Sequence, residues 1–105
     1  MAEEKKEYDL AEITAGFRQR VAERPNLDVR IKFIFDEGGI IFIDGKSSPA
    51  QVSNDDLPAD VTLKLSLATL NQLHRKETNA MAAYMSGKVK LEGDMMAAMK
   101  LGQLL

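Results

Sequence analysis

Residues 81–105 read MAAYMSGKVKLEGDMMAAMKLGQLL and hold five of the chain's six methionines. At the centre of this stretch Val89 and Leu91 alternate with Lys88, Lys90 and Glu92. That two-residue period is the mark of a strand with one buried face. The flanks follow a different rule. Met81, Tyr84 and Met85 recur at spacings of three and four, which predicts a short helix over 79–86. Gly93 allows a sharp turn, and Asp94 is a good N-cap for a final helix from Met95. A strand with one apolar face, set between two helices, asks for a sheet covered on one side, the α+β class.

The rest of the chain supplies that sheet. Val61, Leu63, Leu65 and Leu67 alternate with Thr62, Lys64 and Ser66, and Ser66 or Thr69 can open a helix carrying Leu70 and Leu73. Val29, Ile31, Phe33 and Phe35 alternate with Arg30, Lys32 and Asp36, with Ile34 apolar on the outer side. Glu37, Gly38 and Gly39 tolerate positive φ, so a hairpin returns through an apolar strand over 40–43. A three-residue turn places Phe42 on the outer face, and an exposed Ile34–Phe42 patch would then hint at dimerisation. Residues 44–60 form a polar loop with a short strand around Ala50 and Val52. Ahead of all this, Asp9 and Glu12 have the spacing of a helix start, and Leu10, Ile13, Phe17 and Val21 make one apolar stripe that Pro25 ends. Residues 1–8 are read as a frayed N-terminus and 9–105 as one domain.

Composition narrows the function. Lys and Arg number 14 against 16 acidic residues, a net charge of −2. Without a basic surplus to neutralise phosphates, no nucleic-acid partner is expected. The absence of cysteine excludes disulfides and thiolate metal sites. No apolar run reaches 18 residues and the first ten residues are charged, so neither a membrane span nor a signal peptide is predicted and the expected compartment is the cytoplasm.

Catalytic groupings are equally sparse. His74 is the only histidine and is read as a helix-boundary residue without a second ligand type beside it. Ser47 and Ser48 precede a proline in a polar loop, which is a turn and not a nucleophile elbow. Asp55, Asp56 and Asp60 lack the alternating ligand pattern of a cation loop. Gly38-Gly39 leads into a strand, so it is no phosphate loop. The sequence predicts no enzyme, no metal and no cofactor.

One longer segment carries a resemblance. PADVTLKLSLATLNQLHRKETNAMAAYMSGKVKLEGDMMAAMKLGQLL, residues 58–105, resembles the C-terminal half of the sterol carrier protein 2 family of lipid-binding domains. The pattern is a strand after Ala59-Asp60, a leucine-rich helix, Tyr84-Met85, the run Gly87-Lys88-Val89-Lys90-Leu91-Glu92-Gly93-Asp94, then Met95 and Ala98-Met99-Lys100-Leu101. Before residue 58 the likeness is looser, although helix, hairpin and loop keep the family's order. The chain ends at Leu105, where relatives often run on, and shows no Ser-Lys-Leu-like address.

The resemblance implies a five-stranded twisted, mostly antiparallel sheet with helices packed on one face, enclosing an apolar tunnel for fatty acids, acyl-CoA or sterols. On that basis the lipid-facing residues are Phe33, Phe35, Ile41, Ile43, Leu63, Leu65, Val89 and Leu91 from strands. Met81, Tyr84, Met85, Met95 and Met99 complete the set from helices, where pliable thioethers suit ligands of varied shape. The final helix is expected to seal the tunnel as a lid. Arg30, Lys32, Lys64, Lys88 and Lys90 would form a basic band on the other face, either solvated or weakly drawn to anionic membrane. The expected function is a non-enzymatic lipid carrier, monomeric or weakly dimeric. Its rivals are an accessory protein presenting a polyprenyl or quinone-type precursor to biosynthetic enzymes, and a dimerisation module with a closed core.

Overall fold

Residues 8–23, 27–47 and 49–101 are described by a computed structural model, with the backbone alone for Ala80, Lys100 and Leu101. Local signals start each helix where the sequence predicts. The Asp9 carboxylate accepts from the Glu12 amide at 2.9 Å, and Glu12 Oε1 accepts from the Asp9 amide at 3.2 Å. This capping box opens α1 (Leu10–Ala22). Ser66 Oγ accepts from the Thr69 amide and starts α2 (Leu67–His74). Asn79 does the same for α3 (Ala80–Met85), and Asp94 accepts from the Met96 amide at the head of α4 (Met95–Leu101).

Five strands form one sheet: β1 (Arg30–Phe35), β2 (Ile40–Asp44), β3 (Gln51–Ser53), β4 (Val61–Leu65) and β5 (Lys90–Gly93), in the order β3-β2-β1-β4-β5. The central pair β1–β4 is parallel, with Phe33 beside Leu63, and the remaining pairs are antiparallel. The β1–β2 turn has three residues, since the Phe35 amide donates to the Gly39 carbonyl at 3.1 Å. Gly38 and Gly39 take φ values of 94° and 102°, which favour glycine. Gly93 is also demanding. Its φ is 113°, and a Cβ there would lie 2.4 Å from the Asp60 carbonyl oxygen.

The core lies between the helices and one sheet face. Ile31, Phe33, Phe35, Ile41, Ile43, Val61, Leu63 and Leu65 are buried there, and Phe17, Val21, Leu70 and Leu73 meet them from α1 and α2. The rings of Phe17 and Phe33 stand 5.0 Å apart, and Phe33 stacks on Phe35 at 6.2 Å. Ala83 of α3 and Ala97 of α4 belong to the same cluster, so the four helices share one face.

The other face corrects two expectations. Phe42 does point outward, paired with Lys32, but it is only 5% exposed. The segment 54–60 must pass β2 and β1 to link β3 with β4, and Lys32 Nζ donates to Asp56 of that segment at 2.8 Å. The crossover therefore lies over Phe42 and removes the expected apolar patch. The basic band is also largely neutralised. Arg30 pairs with Asp44, Lys32 with Asp56 and Lys64 with Glu92. Lys88 precedes β5, and Lys90 shares the outer face with Lys64.

Tyr8, read as part of a frayed end, is instead tied down through both of its backbone groups. Residues 1–7 lie outside the described residues.

Candidate functional site

Strand periodicity places most of the expected lipid-facing residues on one surface. Phe33, Phe35, Ile41, Ile43, Leu63, Leu65 and Val89 are buried in the core, and Leu91 packs against it half-buried. The helical members stand elsewhere. Met81, Met85, Met95 and Met99 are 56–76% exposed, and Tyr84 is 45% exposed. Met96 is exposed with them.

The reason lies in alanine. α3 reaches the core through Ala83 and α4 through Ala97, at 1% and 0% exposure, and α4 packs against β1 and β4. A helix approaches more closely through a methyl group than through a thioether chain. A residue two positions away is turned by about 200° on a helix. Docking through Ala83 therefore points Met81 and Met85 outward, and docking through Ala97 does the same for Met95 and Met99. In this structure the final helix presents its methionines to solvent and does not use them as a seal.

A cavity of about 350 Å³ opens instead between α1 and α2. Ile13, Phe17 and Leu70 give it apolar walls. Around these stand Tyr8, Glu12, Gln19, Arg20, Glu23, Asn71 and His74. Gly16 also lines it, and a Cβ built there would meet nothing within 4 Å. Glycine in a helix interior costs about 1 kcal/mol relative to alanine. At Gly16 neither a positive φ nor a close neighbour accounts for that cost.

The polar groups around the cavity hold one another. Asn71 is buried; its Oδ1 accepts from the Tyr8 amide at 2.9 Å, while Nδ2 donates to the carbonyls of Tyr8 and Leu67. The Tyr8 ring stands edge-on to His74 at 5.5 Å. Arg20 Nη2 donates to His74 Nδ1 at 2.7 Å, which leaves the imidazole proton on Nε2. Burial first, then the charges of Arg20 and Arg75, hold the His74 pKa below its ordinary 6.5.

Other candidate groups are engaged in structural bonds. Ser47 Oγ donates to Asp44 Oδ2 at 2.8 Å, and that bond leads the causes lowering the Asp44 pKa. Asp60 accepts from the Arg30 amide, the main cause of its own lowered pKa. Ser48 falls outside the described residues. No group of three metal-ligating side chains occurs among the described residues. None of them forms a helix long and apolar enough to cross a membrane.

Sequence reasoning missed the cavity because it depends on the approach of α1 to α2. The signals were a glycine inside a well-formed helix and an asparagine on the buried side of another. Neither names its partner.

The description of the SCP-2 sterol transfer family matches residues 2–105. The chain belongs to that family. Sterol carrier protein 2 from Yarrowia lipolytica, solved in its apo form, superposes with a TM-score of 0.65 at 22% identity, over 91% of this chain and 77% of that one. The sterol carrier protein domain 2 of Helicoverpa armigera gives 0.65 at 26% identity, covering 90% and 78%. A protein named UbiJ-SCP2, a ubiquinone synthesis protein, gives 0.63 at 17% identity, covering 94% and 93%. No curated protein sequence matches. Membership of the family supports a lipid-binding or lipid-transfer role.

Proposed function

We propose that this protein is a non-enzymatic cytoplasmic carrier that holds a fatty acid, an acyl-CoA or a sterol-like lipid between its sheet and its helices. One observation carries the reading: α3 and α4 are docked by alanines and turn nearly all their large apolar side chains to water. A packed module has no use for that surplus. A carrier does, because a ligand entering beneath these helices lifts them and gives the methionines something to close around. In the loaded form Phe33, Phe35, Ile41, Ile43, Leu63, Leu65, Val89 and Leu91 make the sheet wall, and Met81, Tyr84, Met85, Met95 and Met99 the movable one.

The energy scale is sufficient. At ~0.8 kcal/mol per methylene a sixteen-carbon chain gains roughly 12 kcal/mol on burial. Ordering and association cost several kcal/mol, which leaves micromolar affinity or better. The engagement of His74 with Arg20 and of Ser47 with Asp44 favours a carrier over an enzyme. The exposed methionines also weigh against a module whose core they fill.

A second reading is an accessory protein that presents a polyprenyl or quinone-type lipid to an enzyme complex, supported by the fold shared with UbiJ-SCP2 along almost the full length of both chains. Native mass spectrometry of freshly purified protein, followed by fatty-acid titration of delipidated protein, tests the carrier reading. A labile mass excess and saturable one-site binding are expected. No adduct and no binding up to the solubility limit would end it. Co-purification with biosynthetic enzymes would select the second reading.

A further inference from the structure

We propose that the five methionines exposed on α3 and α4 are a reversible oxidation site. A peroxide converts them to sulfoxides in the empty carrier and lowers its affinity for lipid, while bound lipid shields them. The proposal rests on the carrier reading and adds a control to it.

Sulfur is the first argument. The chain has six methionines and neither cysteine nor tryptophan, so a mild two-electron oxidant finds its targets in the thioethers. Met81, Met85, Met95, Met96 and Met99 are 56–76% exposed. The sixth is Met1, outside the described residues. Methionine is among the residues most often buried. Here no described methionine is in the core, and two short helices set five sulfurs within an oxidant's reach.

Position is the second argument. Ala83 and Ala97 dock the two helices, and a methyl group has nothing for a peroxide to attack. Phe17, Val21, Leu70 and Leu73 hold the rest of the layer without sulfur. Oxygen can thus be added to this surface while the docking contacts stay as they are. In the loaded form Met81, Met85, Met95 and Met99 close on an acyl chain. A sulfoxide is polar, and setting its oxygen against methylenes strips it of water with no donor in return. Oxidation therefore opposes closure far more than it opposes the empty fold. By the same geometry a loaded carrier withholds these sulfurs from the oxidant.

The chemistry balances with hydrogen peroxide as oxidant. The thioether sulfur attacks one peroxide oxygen, an S–O bond forms as the O–O bond breaks, and the departing hydroxide takes the proton of the new S–OH as water. Sulfur loses two electrons and the peroxide gains them. A dithiol reductant reverses the step: it gives two electrons and two protons, becomes a disulfide, and the oxygen leaves as water.

The test treats delipidated wild type with hydrogen peroxide, removes the excess with catalase, maps sulfoxides by peptide mass spectrometry and titrates cis-parinaric acid. Sulfoxides in α3 and α4, an unchanged melting temperature and about tenfold weaker binding are expected. Equal binding by the oxidised protein would overturn the proposal and leave the carrier reading intact. Loss of the melting transition would overturn it too, by making these sulfurs part of the fold's support. Absence of saturable binding by untreated wild type would sink both readings. Methionine sulfoxide reductases with dithiothreitol should restore affinity; sulfoxides removed without recovery would assign the loss to other damage and refute the switch. Palmitic acid, saturated and inert to peroxide, should slow oxidation of Met81, Met85, Met95 and Met99 at least fivefold, and equal rates would refute the shielding. Replacing all five methionines with leucine keeps the surface apolar, and that variant should bind lipid and ignore peroxide. A folded variant that still loses affinity would overturn the proposal.

Discussion

α1 and α2 hold the sheet with large side chains, whereas α3 and α4 hold the same face with alanines. Phe17, Val21, Leu70 and Leu73 are buried from the first pair, and Ala83 and Ala97 from the second. Burying a large apolar side chain is worth about 1.5–3 kcal/mol. An alanine methyl group contributes far less. The first pair therefore fixes the fold, and the second is attached weakly enough to yield. Large buried side chains and small ones thus sit in different parts of one small layer, and on the carrier reading proposed above a ligand would rearrange the second without melting the first.

The strongest challenge to this contrast is a pair of truncations. Phe33→Ala should cost about 3–5 kcal/mol, read from a urea midpoint, because it empties the centre of the aromatic column. Met99→Ala should change stability by less than about 0.5 kcal/mol, since Met99 is exposed. Similar losses from both would erase the distinction.

Over-packing sharpens it. Ala97→Leu forces α4 away from β1 and β4 and should cost about 1–3 kcal/mol. Hydrogen exchange should then accelerate in α4 and stay slow in β1; acceleration in both would mean that α4 supports the sheet.

The smallest effect concerns pH. The folded pKa of His74 is lowered, so the unfolded chain takes up that proton first as pH falls. Its contribution is complete above about pH 6.5 and declines below it. The melting temperature should therefore slope downward between pH 7 and 5.5 in wild type and flatten in His74→Gln. The groups around the ring are Arg20 and Glu23 from α1, Tyr8 at the rim, and Arg75 with its partner Glu77. Asp44 and Asp60 have lowered pKa values too, but their contributions fade only below about 3.8, so they leave this window untouched. An unchanged slope in His74→Gln would assign it to another group.

Alternation made β1 and β4 legible, because lysine and threonine between aliphatic residues admit only one buried face. Three caps were legible for the same local reason: Asp9, Ser66 and Asp94 each need only their own helix. Parallel pairing of β1 with β4 left no such local mark. The fate of Phe42 was hidden as well, since a crossover seven residues long covers it. That Met81 and Met85 stand exposed here was not legible, because hydrophobicity alone favours methionine for the core, while close approach favours Ala83. The cleft required two helices at once, and Gly16 and Asn71 were its local traces.

The parallel seam has a consequence in time. Ile31 pairs with Val61, and no tight turn can join parallel strands. The β1–β2 hairpin can zip early, but the edge of β1 beside Phe33 stays open until residues 61–65 have crossed over and docked. Closing that distant contact should set the folding rate, ahead of the addition of β5 at the edge and of α4 over β1 and β4. During synthesis the most apolar strands thus wait, half-covered, for a partner made later, and the alanine-docked helices are the last to arrive.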